Sequence, residues 1–388
     1  MLLMSSGACT GPSSGAGPVS RTSGPAVVVP SLGGLDLDTA TIPELQAALD
    51  GGDFTAVQLT EAYLARIDEL DGALGAVLSV NPDAAAEAAA SDQVRLAAGP
   101  RSPVEGIPVL LKDNVDMAGM PTTAGSRALL GTRPDDATIT RKLREAGAVL
   151  LGKTNLSEWA NFRGEDATSG WSGVGGQTHN PHVLDRNPCG SSSGSAAAVA
   201  ASLAQVAIGT ETDGSIVCPA GATGVVGLKP TLGMVSRDGI VPISAEQDTP
   251  GPIARHVVDA ALLLQVVTGP DPADLATLEA PGDALPGGDL DVNSLEGARI
   301  GVLSLTDEEL QAVDDATEAV LASAVKSLES AGAIPVPVVL ANRSDVGEGE
   351  WSALLAEFSR GLDAYLAATP GERPADLAGL IAFNRRDP

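Results

Sequence analysis

Aromatic side chains are almost missing from this 388-residue chain: Phe, Trp and Tyr together make up 2%. A surface that reads nucleic acid by stacking bases on rings is therefore excluded. Basic residues are scarce as well, 23 against 50 acidic, and the formal charge is −27. Such a surface repels phosphate backbones and anionic lipid, and no local Lys/Arg cluster offsets it. No apolar run reaches the ~20 residues that cross a bilayer, so no transmembrane segment is expected. Cysteine occurs only as Cys9, Cys189 and Cys218. An odd count without CxxC spacing argues against a disulfide scaffold or a structural zinc. The three histidines are His179, His182 and His256. The HxxH at 179–182 lies among Gly, Gln, Asn and Pro, without a helix or an accompanying Glu, and no metal site is expected there. No cofactor is implied.

What is present is a small-residue composition, 44% apolar with 45 glycines, long enough for a substantial core. Residues 1–37 are rich in Gly, Ser and Pro and read as a flexible leader; residues 38–388 read as one catalytic domain. Small residues before Cys9 resemble a lipoprotein cleavage site. The compartment stays open between cytoplasmic and, if the true start lies upstream, lipid-anchored at Cys9. Ordered structure is expected from about Thr41, where Thr-Ile-Pro-Glu carries a capping box with Pro in the first turn. Helical periodicity follows over 42–49, 56–70, 83–97, 138–146, 195–204, 256–267, 307–331, 350–368 and 374–385. Apolar runs at 107–111, 148–152, 205–209, 299–303 and 334–340 read as buried strands between them. This alternation predicts an α/β protein with a mixed central β-sheet covered by helices on both faces. Residues 269–291 read as a surface excursion.

Three segments resist a purely structural reading. Lys112 ends the apolar run Val109-Leu110-Leu111; a buried lysine head is costly unless neutral or paired, here with Asp113 or Asp116. Cys189-Gly190-Ser191-Ser192-Ser193-Gly194-Ser195 is a Gly/Ser loop entering a helix, offering hydroxyls and main-chain N–H groups to one focus. Thr210-Glu211-Thr212-Asp213-Gly214-Ser215 follows a strand, and peptide N–H groups in such a turn can form an oxyanion hole. A serine nucleophile needs a base, which a neutral lysine relayed through a second serine supplies.

These segments, with Gly152-Lys153-Thr154-Asn155 and Gly227-Leu228-Lys229-Pro230-Thr231 in the same order, resemble the amidase signature family. The resemblance runs from about residue 38 to the chain end. It implies the fold of that family and a Ser–cis-Ser–Lys triad: Lys112 as base, Ser191 as bridging serine after a cis peptide bond, Ser215 as nucleophile. It also implies an oxyanion hole from the N–H groups of Thr212, Asp213, Gly214 and Ser215. Where the family commonly reads GGSSGG and TDTGGS, this chain reads CGSSSG and TETDGS. With residues 157–164, 169–178 and 235–244, that variant is similar to the peptide amidase branch, which removes C-terminal amides. The implied partner is a small amide or peptide-amide substrate, cleaved without metal through an acyl-enzyme.

Other readings carry less. Gly190-Ser191-Ser192-Ser193-Gly194 also spells the GxSxG elbow, with Ser192 as nucleophile, but only His256 follows as a possible base. Ser323-Ala324-Val325-Lys326 spells SxxK inside a long amphipathic helix. Members of the resembled family usually continue past the point matching Pro388. A shortened, catalytically weak homologue is therefore one alternative, and its apolar stripes at 351–358 and 377–383 would need cover. A second alternative is the amidase component of a tRNA-amidating complex.

Overall fold

A computed structural model describes residues 31–164, 166–280, 293–304, 313–339 and 343–387. The leader up to residue 30 with Cys9, the helix start at 307–312 and much of the 269–291 excursion lie outside the described residues. The chain divides into two compact units, Met1–Gly287 with Leu354–Pro388, and Gly288–Ala353.

In the larger unit a short hairpin, Ser31–Leu32 with Leu35–Asp36, precedes the expected onset at Thr41. Helix α1 (Ile42–Gly51) starts at the anticipated capping box: Thr41 accepts from the Glu44 N–H, and the Glu44 side chain accepts from the Thr41 N–H. Helix α2 (Ala56–Leu74) repeats the device with Thr55 and Gln58. Then come β1 (Val77–Val80), α3 (Ala84–Ala98), β2 (Pro108–Lys112), α4 (Thr138–Glu145) and β3 (Val149–Thr154). They are followed by α5 (Ser193–Ala200), β4 (Val206–Glu211), α6 (Val217–Thr223), β5 (Val226–Gly227), β6 (Thr249–Ala254) and α7 (Val257–Val267).

The strands form one six-stranded sheet in the order β5-β6-β4-β2-β3-β1. Its centre, β4-β2-β3, is parallel, and β1, β6 and β5 join antiparallel. Every residue of β2, β3, β4 and β6 is buried. Successive strand side chains point to opposite faces, so both faces of this mixed sheet are covered, as the α/β pattern predicted. The strand β6 was not expected, because Thr249-Pro250-Gly251-Pro252 reads as turn punctuation. Pro252 gives its carbonyl to the Leu228 N–H on the β5 side. Pro250 shares that side by the two-residue alternation, so the missing proline donors fall away from the long ladder with β4.

From Leu354 onward, α9 (Arg343–Ala368), followed by α10 (Leu377–Asn384), covers a second small core. Leu354, Phe358, Leu362 and Leu380 pack there with Leu129 and Trp159. The two apolar stripes are thus partly buried, while Trp351, Leu355 and Ile381 remain exposed. The smaller unit pairs β7 (Arg299–Leu303) in parallel with β8 (Ile334–Val338) across α8 (Asp315–Ser330). Ser323 and Lys326, the SxxK pair, lie on α8.

Candidate active site

The carboxyl ends of β2, β3 and β4 reach one edge of the sheet, where open α/β sheets place their ligands. Lys112 is the last residue of β2 and is fully buried. Its Nζ lies 2.7 Å from Ser191 Oγ, 2.9 Å from Thr210 Oγ1 and 3.2 Å from the Thr210 carbonyl. Burial drives the Lys112 pKa from 10.5 down to about 7, against the opposing pull of the Asp248 and Glu211 carboxylates. Neither acidic neighbour weighed from sequence is its partner. Asp113 turns to Lys153 on β3, with Nζ–Oδ1 at 2.9 Å, and Asp116 accepts from the Tyr365 hydroxyl at 2.7 Å.

Ser191 sits in a loop that only small residues can build. A Cβ at Gly190 would come within 2.3 Å of Ser157 Oγ. The Gly190–Ser191 peptide is cis, the geometry the family resemblance implied. The Ser191 carbonyl accepts from the Ser157 N–H at 3.1 Å. Next to it Ser192 Oγ donates to the Thr210 carbonyl at 3.0 Å and accepts from the Thr210 N–H at 3.2 Å. Fully buried and engaged in both directions, Ser192 is not available as the nucleophile of an elbow. Helix α5 then runs Ser-Gly-Ser-Ala-Ala-Ala-Val, all buried, small enough to lie close against the sheet.

The turn after β4 carries Ser215, and it is held from both ends by carboxylates. Glu211 accepts from the N–H groups of Ile216 at 2.7 Å and Val217 at 3.0 Å. Thr212 Oγ1 donates to Asp248 Oδ1 at 2.5 Å. The Ser215 carbonyl accepts from the Ser192 N–H at 3.1 Å, which ties this turn to the Ser191 loop. Gly214 takes φ +82°, a left-handed conformation that favours glycine. Among the described residues, the N–H groups of Gly214 and Ser215 have no hydrogen-bond acceptor.

The same two segments are joined covalently. Contrary to the expectation from the cysteine count, Cys189 and Cys218 form a disulfide. An odd count leaves one thiol over but does not bar a single bridge. Pairing depends on spatial approach, which a sequence separation of 29 does not reveal. His179 Nδ1 and His182 Nε2 bond to the carbonyls of Leu184 and Thr223, each at 2.8 Å. Among the described residues no group of three or more His, Cys, Asp or Glu is placed to hold a metal ion.

A cavity of about 500 Å³ borders this cluster at Asn114, Thr210 and Thr212, with Ile243, Ser244 and Asp248 on its wall. That volume is within the ~300–1,000 Å³ usual for small-molecule sites. Sequence reasoning missed Thr210, Glu211 and Asp248 as parts of the site. Thr210 and Glu211 end a strand inside a motif already singled out, but nothing in their spacing tells which lysine they face. Asp248 falls outside every helix and strand expected from the sequence.

A profile of the amidase family, described as Amidase, matches residues 58–388. A probable amidase of Arabidopsis thaliana is 42% identical over 365 residues, 90% of this chain and 68% of that protein. A glutamyl-tRNA(Gln) amidotransferase subunit of Acidothermus cellulolyticus is 42% identical over 354 residues, 90% of this chain and 65% of that one. The chain thus spans about two thirds of the length of these curated relatives. The structure of the native peptide amidase from Stenotrophomonas maltophilia matches with 52% identity and a TM-score of 0.86, covering 90% of this chain and 72% of that chain. Motifs, fold and relatives agree, and the chain belongs to the amidase family, hydrolases that act on amide C–N bonds.

Proposed function

We propose that this chain hydrolyses linear carboxamides, with the terminal carboxamide of a peptide as its substrate and ammonia as the amine released. The observation that carries the reading is the environment of Lys112. A neutral amine has two N–H groups and one lone pair. Two acceptors, the carbonyl and hydroxyl oxygens of Thr210, surround Nζ and can take both N–H groups. The lone pair is left for the Ser191 hydroxyl at 2.7 Å.

In the reaction so read, Lys112 accepts the Ser191 proton while Ser191 accepts the proton of Ser215. Ser215 Oγ attacks the amide carbon, and the oxyanion forms beside the N–H groups of Thr212, Asp213, Gly214 and Ser215. The relay then reverses: Ser191 delivers a proton to the amide nitrogen, the C–N bond breaks, ammonia leaves, and an acyl ester on Ser215 remains. Water, deprotonated by the same relay, attacks that ester and restores the hydroxyl. Positioned proton transfer of this kind contributes ~10²–10⁴-fold.

The peptide preference is supported by the 52% identity to the Stenotrophomonas maltophilia peptide amidase, against 42% to the Acidothermus cellulolyticus amidotransferase protein. The test is ammonia release from a dipeptide amide compared with a long-chain fatty amide and with glutamine. Faster turnover of the fatty amide would move the substrate class. Ammonia release from glutamine alone would favour the amidotransferase reading.

A further inference from the structure

Lys112 and the Ser215 turn share a neighbour that sequence reasoning did not mark. Asp248 stands just before β6, on the wall of the cavity. One carboxylate oxygen, Oδ1, accepts from Thr212 Oγ1 at 2.5 Å. The other, Oδ2, accepts from the N–H groups of Ile243 at 2.7 Å and Ser244 at 2.9 Å. Asp248 therefore fastens the first residue of the Ser215 turn to Ile243 and Ser244, which line the same cavity. We infer that Asp248 is a positioning residue with two separable effects: its oxygens hold the oxyanion turn against the cavity wall, and its charge sets how readily Lys112 is protonated. The second effect rests on the reading of Lys112 as the base.

The geometry around Lys112 favours this assignment. Thr210, whose oxygens lie at Lys112 Nζ, is two residues from Thr212, which Asp248 holds, and all three line one cavity. Asp248 and Glu211 both favour the protonated form of Lys112. The nearby Lys153 on β3 is committed to Asp113. Arg237, the cation acting on Asp248, is itself ion-paired with Asp274 at 2.5 Å. Glu211 cannot substitute for Asp248 in the first effect, because its carboxylate holds the far end of the turn at Ile216 and Val217.

Two substitutions separate the effects. In Asp248→Asn the side-chain oxygen can keep the Ile243 and Ser244 bonds while its NH₂ donates to Thr212 Oγ1, which has spare lone pairs. The hydrogen bonds survive and the charge goes. Thr212→Val keeps the charge and cuts the fastening. The readouts are the titration of the Lys112 amine, followed by NMR on ¹³Cε-lysine-labelled protein, and the pH profile of kcat/KM on a dipeptide amide. In Asp248→Asn the Lys112 titration should move down by about one pH unit, and the acid limb of kcat/KM should move with it. In Thr212→Val kcat should fall ~10-fold or more with the titration unmoved, the oxyanion N–H groups being misplaced. A Lys112 titration unchanged in Asp248→Asn overturns the electrostatic effect, and wild-type kcat in Thr212→Val overturns the fastening. A titration that moves while the acid limb stays still supports the charge effect but removes Lys112 from the role of base.

Discussion

Lys112 and Lys153 lie on neighbouring parallel strands, both fully buried, and the fold gives them opposite company. Lys153 Nζ meets the Asp113 carboxylate at 2.9 Å, and Asp113 is in turn held by the hydroxyl and N–H of Thr123. Lys112 meets hydroxyl and carbonyl oxygens at the same kind of distance. A carboxylate partner favours the ammonium form, whereas burial among neutral oxygens favours the amine. Lys153 is thus committed to an ion pair, while burial lowers the pKa of Lys112 to about 7.

Replacing members of the proposed relay should therefore give a graded result. Ser215→Ala should lower ammonia release by ~10⁴-fold or more with the thermal midpoint little changed. Lys112→Ala should also remove turnover at neutral pH, and Ser191→Ala should cost somewhat less, since water can bridge the gap it leaves. Near-wild-type turnover in Ser215→Ala would end the assignment of the nucleophile. EDTA should leave wild-type turnover unchanged; loss restored by zinc would end the metal-independent reading.

Lys112 also predicts a pH dependence with a definite sign. As the proposed base it works unprotonated, so kcat/KM should rise with pH through an inflection near 7. Stability follows from the same shift. Between about 7 and 10.5 the unfolded chain holds this proton and the folded chain does not, so stability contributed here increases with pH across that window. Below the window both states are protonated, and the folded state bears the cost of a buried ammonium. Lys112→Met should be most stable relative to wild type below pH 7. That advantage should shrink, by on the order of a few kcal/mol, as pH rises to 10.5. A pH-independent difference in unfolding free energy would contradict the lowered pKa.

Asp116 offers an independent check on the packing of α9. Burial raises its pKa from 3.8 to about 6, although the Tyr365 hydroxyl favours its ionised form. A carboxyl that keeps its proton longer when folded makes stability fall as pH rises through that interval. Asp116→Asn preserves an acceptor for Tyr365 and never ionises. It should gain stability over wild type above pH 6, with the gain vanishing near pH 4. Thermal melts across this range that show parallel curves would refute the raised pKa.

The cavity carries its own charge preference. Asp238, Glu246, Asp248, Asp274 and Glu357 line it against Arg237 and Arg360, and Arg237 is already paired with Asp274. Peptide amides with a cationic side chain should be turned over faster than anionic ones, by roughly 10-fold at low salt. The ratio should fall as ionic strength rises. Equal kcat/KM for lysine- and glutamate-containing dipeptide amides would show that these carboxylates do not face the substrate.

Much of this architecture is legible in the sequence because the parallel strands are continuous apolar runs and the first helix announces itself by its caps. Lys112, Ser191 and Ser215 stand out only together: a paired lysine at a strand end or a serine in a tight turn is ordinary on its own, and it is the three segments in one order that resemble the amidase signature. The strand Thr249–Ala254 is hidden by its prolines, whose missing donors matter only on the side away from the long ladder. The partnership of Asp113 with Lys153 rather than Lys112 follows from alternation, which turns adjacent side chains to opposite faces, but choosing between two lysines requires the sheet order. Thr210 and Asp248 contribute through contacts made across 98 and 36 residues of chain, to Lys112 and Thr212 respectively. Such distances leave no periodic trace.

The bridge between Cys189 and Cys218 makes assembly of this site partly a matter of oxidation. The segment between them closes into a ring that contains both Ser191 and Ser215, so the two hydroxyls belong to one covalent cycle before any packing is counted. A chain synthesised among reductants begins with that cycle open and with a thiol three residues beyond the proposed nucleophile. Its maturation then includes a two-electron step as well as a folding step, and the thiol–disulfide poise of the surroundings decides how the loop and the turn are joined.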